Sequence, residues 1–192
     1  MNALVVATAG KTSWDEEGRL LGSRSIPLSP LGRAQVERVA SQLEQFPFRV
    51  IYTGHSRHCL ESARILAQAC GASVRCLREL CEVNQGLWEG LLIREVERTY
   101  PRSYRAWLRE PCSVRPPAGE SIVQAYERAR AVLATLSRRH RGQVVAIVAP
   151  KLLRALIRCC LRGLGPEAVW DLYDEEADWE VIQMPGREIG KA

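Results

Sequence analysis

Short, largely apolar runs recur along this chain between longer stretches with helical periodicity. The runs at residues 4–7, 49–52 and 144–148 contain mostly apolar residues and show little polar alternation. Parallel strands that are buried on both faces have this pattern. We therefore predict three strands of a mostly parallel sheet.

The stretches between these runs carry apolar stripes at helical spacing. Ser29-Pro30 places an N-cap before a proline at the first helical position, and an apolar stripe follows over residues 36–43. A second stripe covers residues 122–136. Alternating strands and helices predict a three-layer α/β/α sandwich with a mostly parallel central sheet.

Length and composition suit one globular domain. The chain has 192 residues, of which 46% are hydrophobic and 26% charged, and these fractions are ordinary for a globular protein. We expect one domain over residues 1–185 and a short polar tail over residues 186–192. No apolar run approaches the ~20 residues that a membrane-spanning helix needs, so we expect no membrane partner.

The cysteines and the basic residues do not indicate a metal site or a nucleic-acid-binding site. The seven cysteines include no C-x-x-C pair and no histidine at zinc-ligand spacing. We therefore expect reduced thiols in a cytoplasmic protein, with no metal or other cofactor. The net charge is +5, and the densest basic run, residues 138–141, ends a predicted helix, where cations are favourable. No nucleic-acid-binding signature accompanies it, and we predict no nucleic-acid partner.

Several short motifs occur in an order that resembles one known family. In chain order they are Pro27-Leu28 with Gly32 and Gln35, Tyr52-Thr53-Gly54, Ser62-Ala63, Glu82 with Gly86 and Trp88-Glu89-Gly90, and Gly119-Glu120-Ser121 with Arg128. Together they resemble the histidine phosphatase superfamily, which has the phosphoglycerate-mutase-like fold. The resemblance implies that α/β fold and a site for phosphoryl transfer through a phosphohistidine.

The same resemblance places apolar residues at both histidine positions. The nucleophile position falls on Ala9 and the second histidine on Ala149, while two arginine positions fall on Thr8 and His58. Only the proton donor, at Glu82, keeps its type. An alanine cannot attack phosphorus, and few groups remain to stabilise the transition state. We therefore predict a degenerate, catalytically inactive member, a pseudophosphatase and not an enzyme.

Three functions follow from this prediction and its alternatives. An inactive member would bind a small anion, a phosphate ester, a protein partner or a second copy of this chain. The first alternative is a phosphoesterase with a relocated catalytic site, for which His58 is the candidate nucleophile. The second is a structural or assembly protein. The predicted ligand-binding residues lie around the strand ends, where open α/β sheets place ligands: Thr8, Gly10, Lys11, His55, His58, Glu82 and Lys151.

Two of the candidates carry a further expectation. Glu82 either keeps acid–base chemistry or holds the Trp88 loop through backbone hydrogen bonds. Cys59 adjoins His58, but adjacent residues on a helix do not face each other. We therefore expect no Cys–His dyad.

Overall fold

A five-stranded sheet lies at the centre of the protein. The computed structural model describes residues 1–173 and 177–184. Its strands are β1 (Ala3–Thr8), β2 (Val50–Thr53), β3 (Ser73–Cys76), β4 (Val144–Ala149) and β5 (Trp179–Gln183). Their order across the sheet is β3-β2-β4-β1-β5. Every pairing is parallel except that of β5 with β1, so the mostly parallel sheet is confirmed.

The three strands predicted from apolar runs are β1, β2 and β4. They form the interior of the sheet, where both faces are covered and the apolar signal is strong. The sequence prediction omitted β3 and β5, which form the two edges. Their residues are exposed or half-buried, so neither strand has a continuous apolar run.

Eight α-helices surround the sheet within the described ranges. They are α1 (Ser13–Glu17), α2 (Pro30–Leu43), α3 (Arg57–Cys70), α4 (Ile93–Thr99), α5 (Pro101–Arg109), α6 (Ile122–Arg139), α7 (Lys151–Arg162) and α8 (Val169–Tyr173). On one face, α2 and α3 pack against Val5 and Ile51. On the other face, α6 and α7 pack against Leu4 and Ile147. The three-layer sandwich is therefore confirmed.

A third apolar cluster lies beside the sheet and is rich in aromatic residues. It joins the segment after residue 82 to α4, α5 and α8. Trp88 and Trp107 meet edge to face with their ring centroids 5.7 Å apart, and Trp107 contacts Trp170 in the same way. This cluster fixes the segment that leads from Glu82 to Trp88.

Local signals set the helix starts. The Ser29 hydroxyl accepts a hydrogen bond from the Gly32 N–H at 3.0 Å, so the predicted N-cap of α2 is confirmed. Within residues 1–173 and 177–184, no helix has the length and apolar character to cross a bilayer. The predicted domain boundary at residue 185 and the tail over residues 186–192 lie outside the described residues.

Candidate active site

The carboxyl ends of β1 and β4 meet at the centre of the candidate site. The Ala9 N–H donates to the Ala149 carbonyl at 2.8 Å, and both residues are buried. The two positions to which the family resemblance assigns histidines are therefore neighbours. Each presents only a methyl group, which can neither attack phosphorus nor bond to a phosphoryl oxygen.

Gly10 and His58 belong to one hydrogen-bonded chain. The Gly10 N–H donates to the Ser62 hydroxyl at 3.0 Å, and that hydroxyl donates to the His58 carbonyl at 2.6 Å. The His58 N–H donates to the Ile26 carbonyl at 3.0 Å. The loop after β1, the first turn of α3 and the segment before α2 are thereby held together. Ser62 was not predicted as a site residue, although its position four residues after His58 places both on one helix face.

The His58 imidazole is buried and uncharged at neutral pH. Only 2% of the residue is exposed, and this burial lowers the pKa of the imidazole. Asp15, the Ile26 backbone and Glu61 act to raise the pKa, but their effect is smaller. Its Nδ1 has no hydrogen-bond partner among the described residues. A neutral imidazole with a free ring nitrogen can act as a base or a nucleophile.

Cys59 contacts His58, although adjacent residues on a helix were not expected to face each other. The Cys59 Sγ and the His58 Nε2 lie 3.4 Å apart, because the reach of the imidazole brings its far nitrogen to the thiol although the two residues are adjacent. Burial raises the pKa of the Cys59 thiol far above its ordinary value. The thiol therefore stays protonated, and it cannot act as a thiolate nucleophile.

The Glu82 carboxylate lies at the start of α7 and accepts three backbone hydrogen bonds. Its oxygens accept hydrogen bonds from the N–H groups of Val83 at 2.8 Å, Leu152 at 3.1 Å and Leu153 at 2.9 Å. Pro150, the N-cap of α7, has no N–H and no capping side chain. The carboxylate thus supplies the negative charge and acceptor that a helix N-terminus favours.

This geometry corrects the structural interpretation of Glu82. Its carboxylate holds α7, and the Trp88 loop is held by a different acid, Glu89. The Glu89 Oε1 accepts from the Ser23 N–H at 2.7 Å and from the Gln85 N–H at 3.2 Å. Sequence spacing could not separate these roles, because Glu82 and Glu89 flank the same motif.

Burial gives Glu82 a carboxyl pKa suited to proton transfer near neutral pH. Desolvation raises the pKa to about 7, and it outweighs the hydrogen bonds from Val83, Leu152 and Leu153 and the charge of Arg128. A group with a pKa near the working pH can both donate and accept a proton. The charge of Glu82 also raises the pKa of the Cys59 thiol, so Glu82 lies within electrostatic range of the thiol that contacts His58.

We expect the wild-type protein to gain stability relative to Glu82→Gln as pH falls from about 7 to 4.5. Folded Glu82 takes up its proton near pH 7, against an ordinary value of 4.5 in the unfolded chain. Between these values the folded state binds more protons, so acid favours folding. The gain should be on the order of 3 kcal/mol. Urea unfolding of the wild type and Glu82→Gln at pH 5 and pH 8 measures this gain. The contribution of His58 to the pH dependence is the same in both proteins. A stability difference between the two proteins that does not change with pH contradicts the prediction.

The remaining predicted ligand-binding residues lie around this centre. Thr8 is half-buried and donates its N–H to the Asp178 carbonyl at 2.8 Å. Lys11 is exposed and lines a pocket of about 280 Å³ beside α2. His55 is exposed and donates its N–H to the Cys81 sulfur at 3.4 Å.

Lys151 is the last of these candidates. Its Nζ lies 4.0 Å from the centroid of the Tyr173 ring, a cation–π contact. The residue is exposed at the first position of α7. Whether these residues bind a ligand stays a prediction. Among residues 1–173 and 177–184, no group of three or more His, Cys, Asp and Glu side chains is placed to hold a metal ion.

Comparison with known proteins identifies the family. The model of the histidine phosphatase superfamily (branch 1) matches residues 4–189. The chain belongs to this superfamily. Phosphoserine phosphatase 1 of Hydrogenobacter thermophilus is 28% identical over 187 residues, which are 97% of this chain and 89% of that protein.

Other members of the superfamily are similar in sequence or in structure. Glucosyl-3-phosphoglycerate phosphatase of Mycobacterium tuberculosis is 31% identical over 133 residues, which are 69% of this chain and 59% of that protein. The solved structure of mycobacterial glucosyl-3-phosphoglycerate phosphatase with VO3 superimposes with a TM-score of 0.85 at 26% identity. The superposition covers 94% of this chain and 90% of the mycobacterial chain.

These relatives contradict the prediction of an inactive protein. They are named as phosphatases, so the likeness favours an enzyme over a pseudophosphatase. The prediction was wrong because it counted only the positions at which the family resemblance puts catalytic histidines. A phosphoesterase with a relocated catalytic site fits the relatives better.

Proposed function

We propose that this chain is a phosphoesterase in which His58 and Glu82 carry the reaction. It would be a member of the superfamily that lacks both family histidines, since the resemblance assigns those positions to Ala9 and Ala149. The observation that carries the proposal is the buried carboxyl of Glu82 at the strand ends, with a pKa of about 7. The names of the relatives support phosphate monoesters such as phosphoserine as the substrate class.

In the proposed first step, the neutral His58 imidazole attacks phosphorus with the lone pair of Nδ1. The N–P bond forms as the ester P–O bond breaks, and protonated Glu82 gives its proton to the leaving oxygen. In the second step water attacks the phosphohistidine. The Glu82 carboxylate takes the proton of that water, the N–P bond breaks, and phosphate leaves.

Substrate entry in this proposal requires a local movement that uncovers the imidazole, because His58 is only 2% exposed. The His58 backbone N–H donates to the Ile26 carbonyl at 3.0 Å, so the segment before α2 is attached to the same helix turn. Ligand binding by Thr8, Gly10, Lys11, His55 and Lys151 is part of the same proposal. The two lysines would supply positive charge that Thr8 does not.

Turnover and phosphoenzyme formation test the proposal in one experiment. The wild-type protein, His58→Ala and His140→Ala are assayed with p-nitrophenyl phosphate and phosphoserine after repeated purification. His140 lies at the C-terminal end of α6, so its variant is the matched histidine control. We expect turnover in the wild type and in His140→Ala, and a loss of at least ~100-fold in His58→Ala. An acid-labile, base-stable phosphoryl group should be trapped on His58.

The possible failures have separate meanings. A wild-type protein without turnover contradicts the phosphoesterase function. Turnover that persists in His58→Ala places the nucleophile elsewhere. Turnover that is lost in His58→Ala without a trapped phosphoenzyme assigns His58 the role of a base for attacking water.

A further inference from the structure

Arg128 on α6 connects three separate parts of the chain near Glu82. Its Nε donates to Glu120 Oε2 at 3.1 Å, and its Nη2 donates to Glu120 Oε1 at 2.8 Å. This is the bidentate geometry in which Arg–carboxylate pairs are strongest. Both side chains are 21% exposed, so water only partly screens the pair.

The same guanidinium also binds the backbone that carries Glu82. Its Nη1 donates to the Glu79 carbonyl at 2.5 Å, and its Nη2 donates to the Glu82 carbonyl at 3.2 Å. Glu120, held by Arg128, accepts from the Asn84 N–H at 2.9 Å. The main chain of residues 79–84 is therefore bound by Arg128 and Glu120 on both sides of Glu82.

Arg128 is also the cation whose charge acts on the Glu82 carboxyl. The carboxyl also accepts hydrogen bonds from the N–H groups of Val83, Leu152 and Leu153, and the neutral thiol of Cys59 on α3 lies within its electrostatic range. The charge of Arg128 opposes the desolvation that raises the Glu82 pKa. One side chain thus fixes the backbone of Glu82 and limits the rise of its pKa.

We propose that Arg128 is a positioning residue for Glu82, setting both the placement of its carboxyl and the pH range in which it can exchange a proton. The inference rests on the proposed function in so far as Glu82 acts in catalysis. The coupling between Arg128 and Glu82 is a property of the folded protein, and it can be measured with or without turnover.

The experiment follows the Glu82 carboxyl directly. The wild-type protein and the variants Arg128→Met, Arg128→Lys and Arg130→Met are titrated by NMR. The signals followed are the Glu82 carboxyl carbon and the Leu152 and Leu153 amides that donate to it. Arg130 lies two residues along α6, is 65% exposed and pairs with Glu127, so it is the matched control.

Arg128→Met should raise the midpoint of the Glu82 titration by at least ~0.5 pH unit, because a favourable charge is removed. Arg128→Lys should keep the midpoint closer to that of the wild type, since the charge is retained. It should shift the Leu152 and Leu153 amide signals, because lysine cannot form the bidentate hydrogen bonds of the guanidinium group. Arg130→Met should change neither. In the active protein, the alkaline limb of the pH–rate profile should move with the Glu82 midpoint.

A residue that only stabilises the fold would leave the Glu82 midpoint unchanged in folded protein. An unchanged midpoint in Arg128→Met, or unchanged Leu152 and Leu153 signals in Arg128→Lys, overturns the inference. Arg128→Lys also provides the test if Arg128→Met does not fold. Absence of wild-type turnover overturns only the proposed function, because the titration is read without substrate.

Discussion

Glu82→Gln is expected to lower kcat for phosphate monoesters by about 10²–10⁴-fold, the usual contribution of a positioned general acid–base group. The glutamine side chain keeps the shape of Glu82 but cannot give a proton to the leaving oxygen. The loss should be largest for substrates with poor leaving groups, such as phosphoserine, because p-nitrophenolate needs little protonation. Steady-state kinetics with both substrates measure this contrast.

Glu79→Gln is the matched control for this prediction. Glu79 is an exposed acid three residues earlier, and only its backbone carbonyl meets Arg128. Thermal unfolding of both variants at the assay pH separates lost chemistry from lost structure. A glutamine amide group that faces the Leu152 or Leu153 N–H leaves that buried donor without an acceptor, which lowers the free energy of unfolding by about 1–3 kcal/mol. Glu82→Gln should therefore unfold at a lower temperature than the wild type. Equal kcat values for wild type and Glu82→Gln would remove Glu82 from the mechanism.

Trp88→Ala is expected to reduce the free energy of unfolding by about 3–5 kcal/mol. Trp88 is completely buried and contacts Tyr100, Tyr104 and Trp107 through its ring. The truncation removes apolar contacts and leaves a cavity in the cluster that fixes the segment after Glu82. Urea unfolding followed by circular dichroism measures the change.

Two other substitutions calibrate the Trp88 result. Trp88→Phe should cost less, because it keeps an aromatic ring and the indole Nε1 has no hydrogen-bond partner among the described residues. Leu87→Ala should change stability by no more than ~0.5 kcal/mol, since Leu87 is 61% exposed. A loss below about 1 kcal/mol in Trp88→Ala would mean that the cluster adapts to the truncation.

The candidate site was predicted only in part, and its residues show why. The sequence places Ala9 and Ala149 after apolar strands, and the two residues do meet at the strand ends. The sequence does not indicate that the Glu82 carboxylate binds the start of α7, because Leu152 and Leu153 lie 70 and 71 residues away along the chain. The expectation of inactivity also came from residue identities alone, and the relatives named as phosphatases contradict it.

The sequence by itself determined the interior strands, the start of α2 and the family. Apolar periodicity and a cap such as Ser29 act through near neighbours. Only the tertiary structure decided the edge strands β3 and β5, the neutral His58 and the raised pKa of Glu82. Desolvation and long-range hydrogen bonds exist only after distant segments pack together, so no local pattern encodes them.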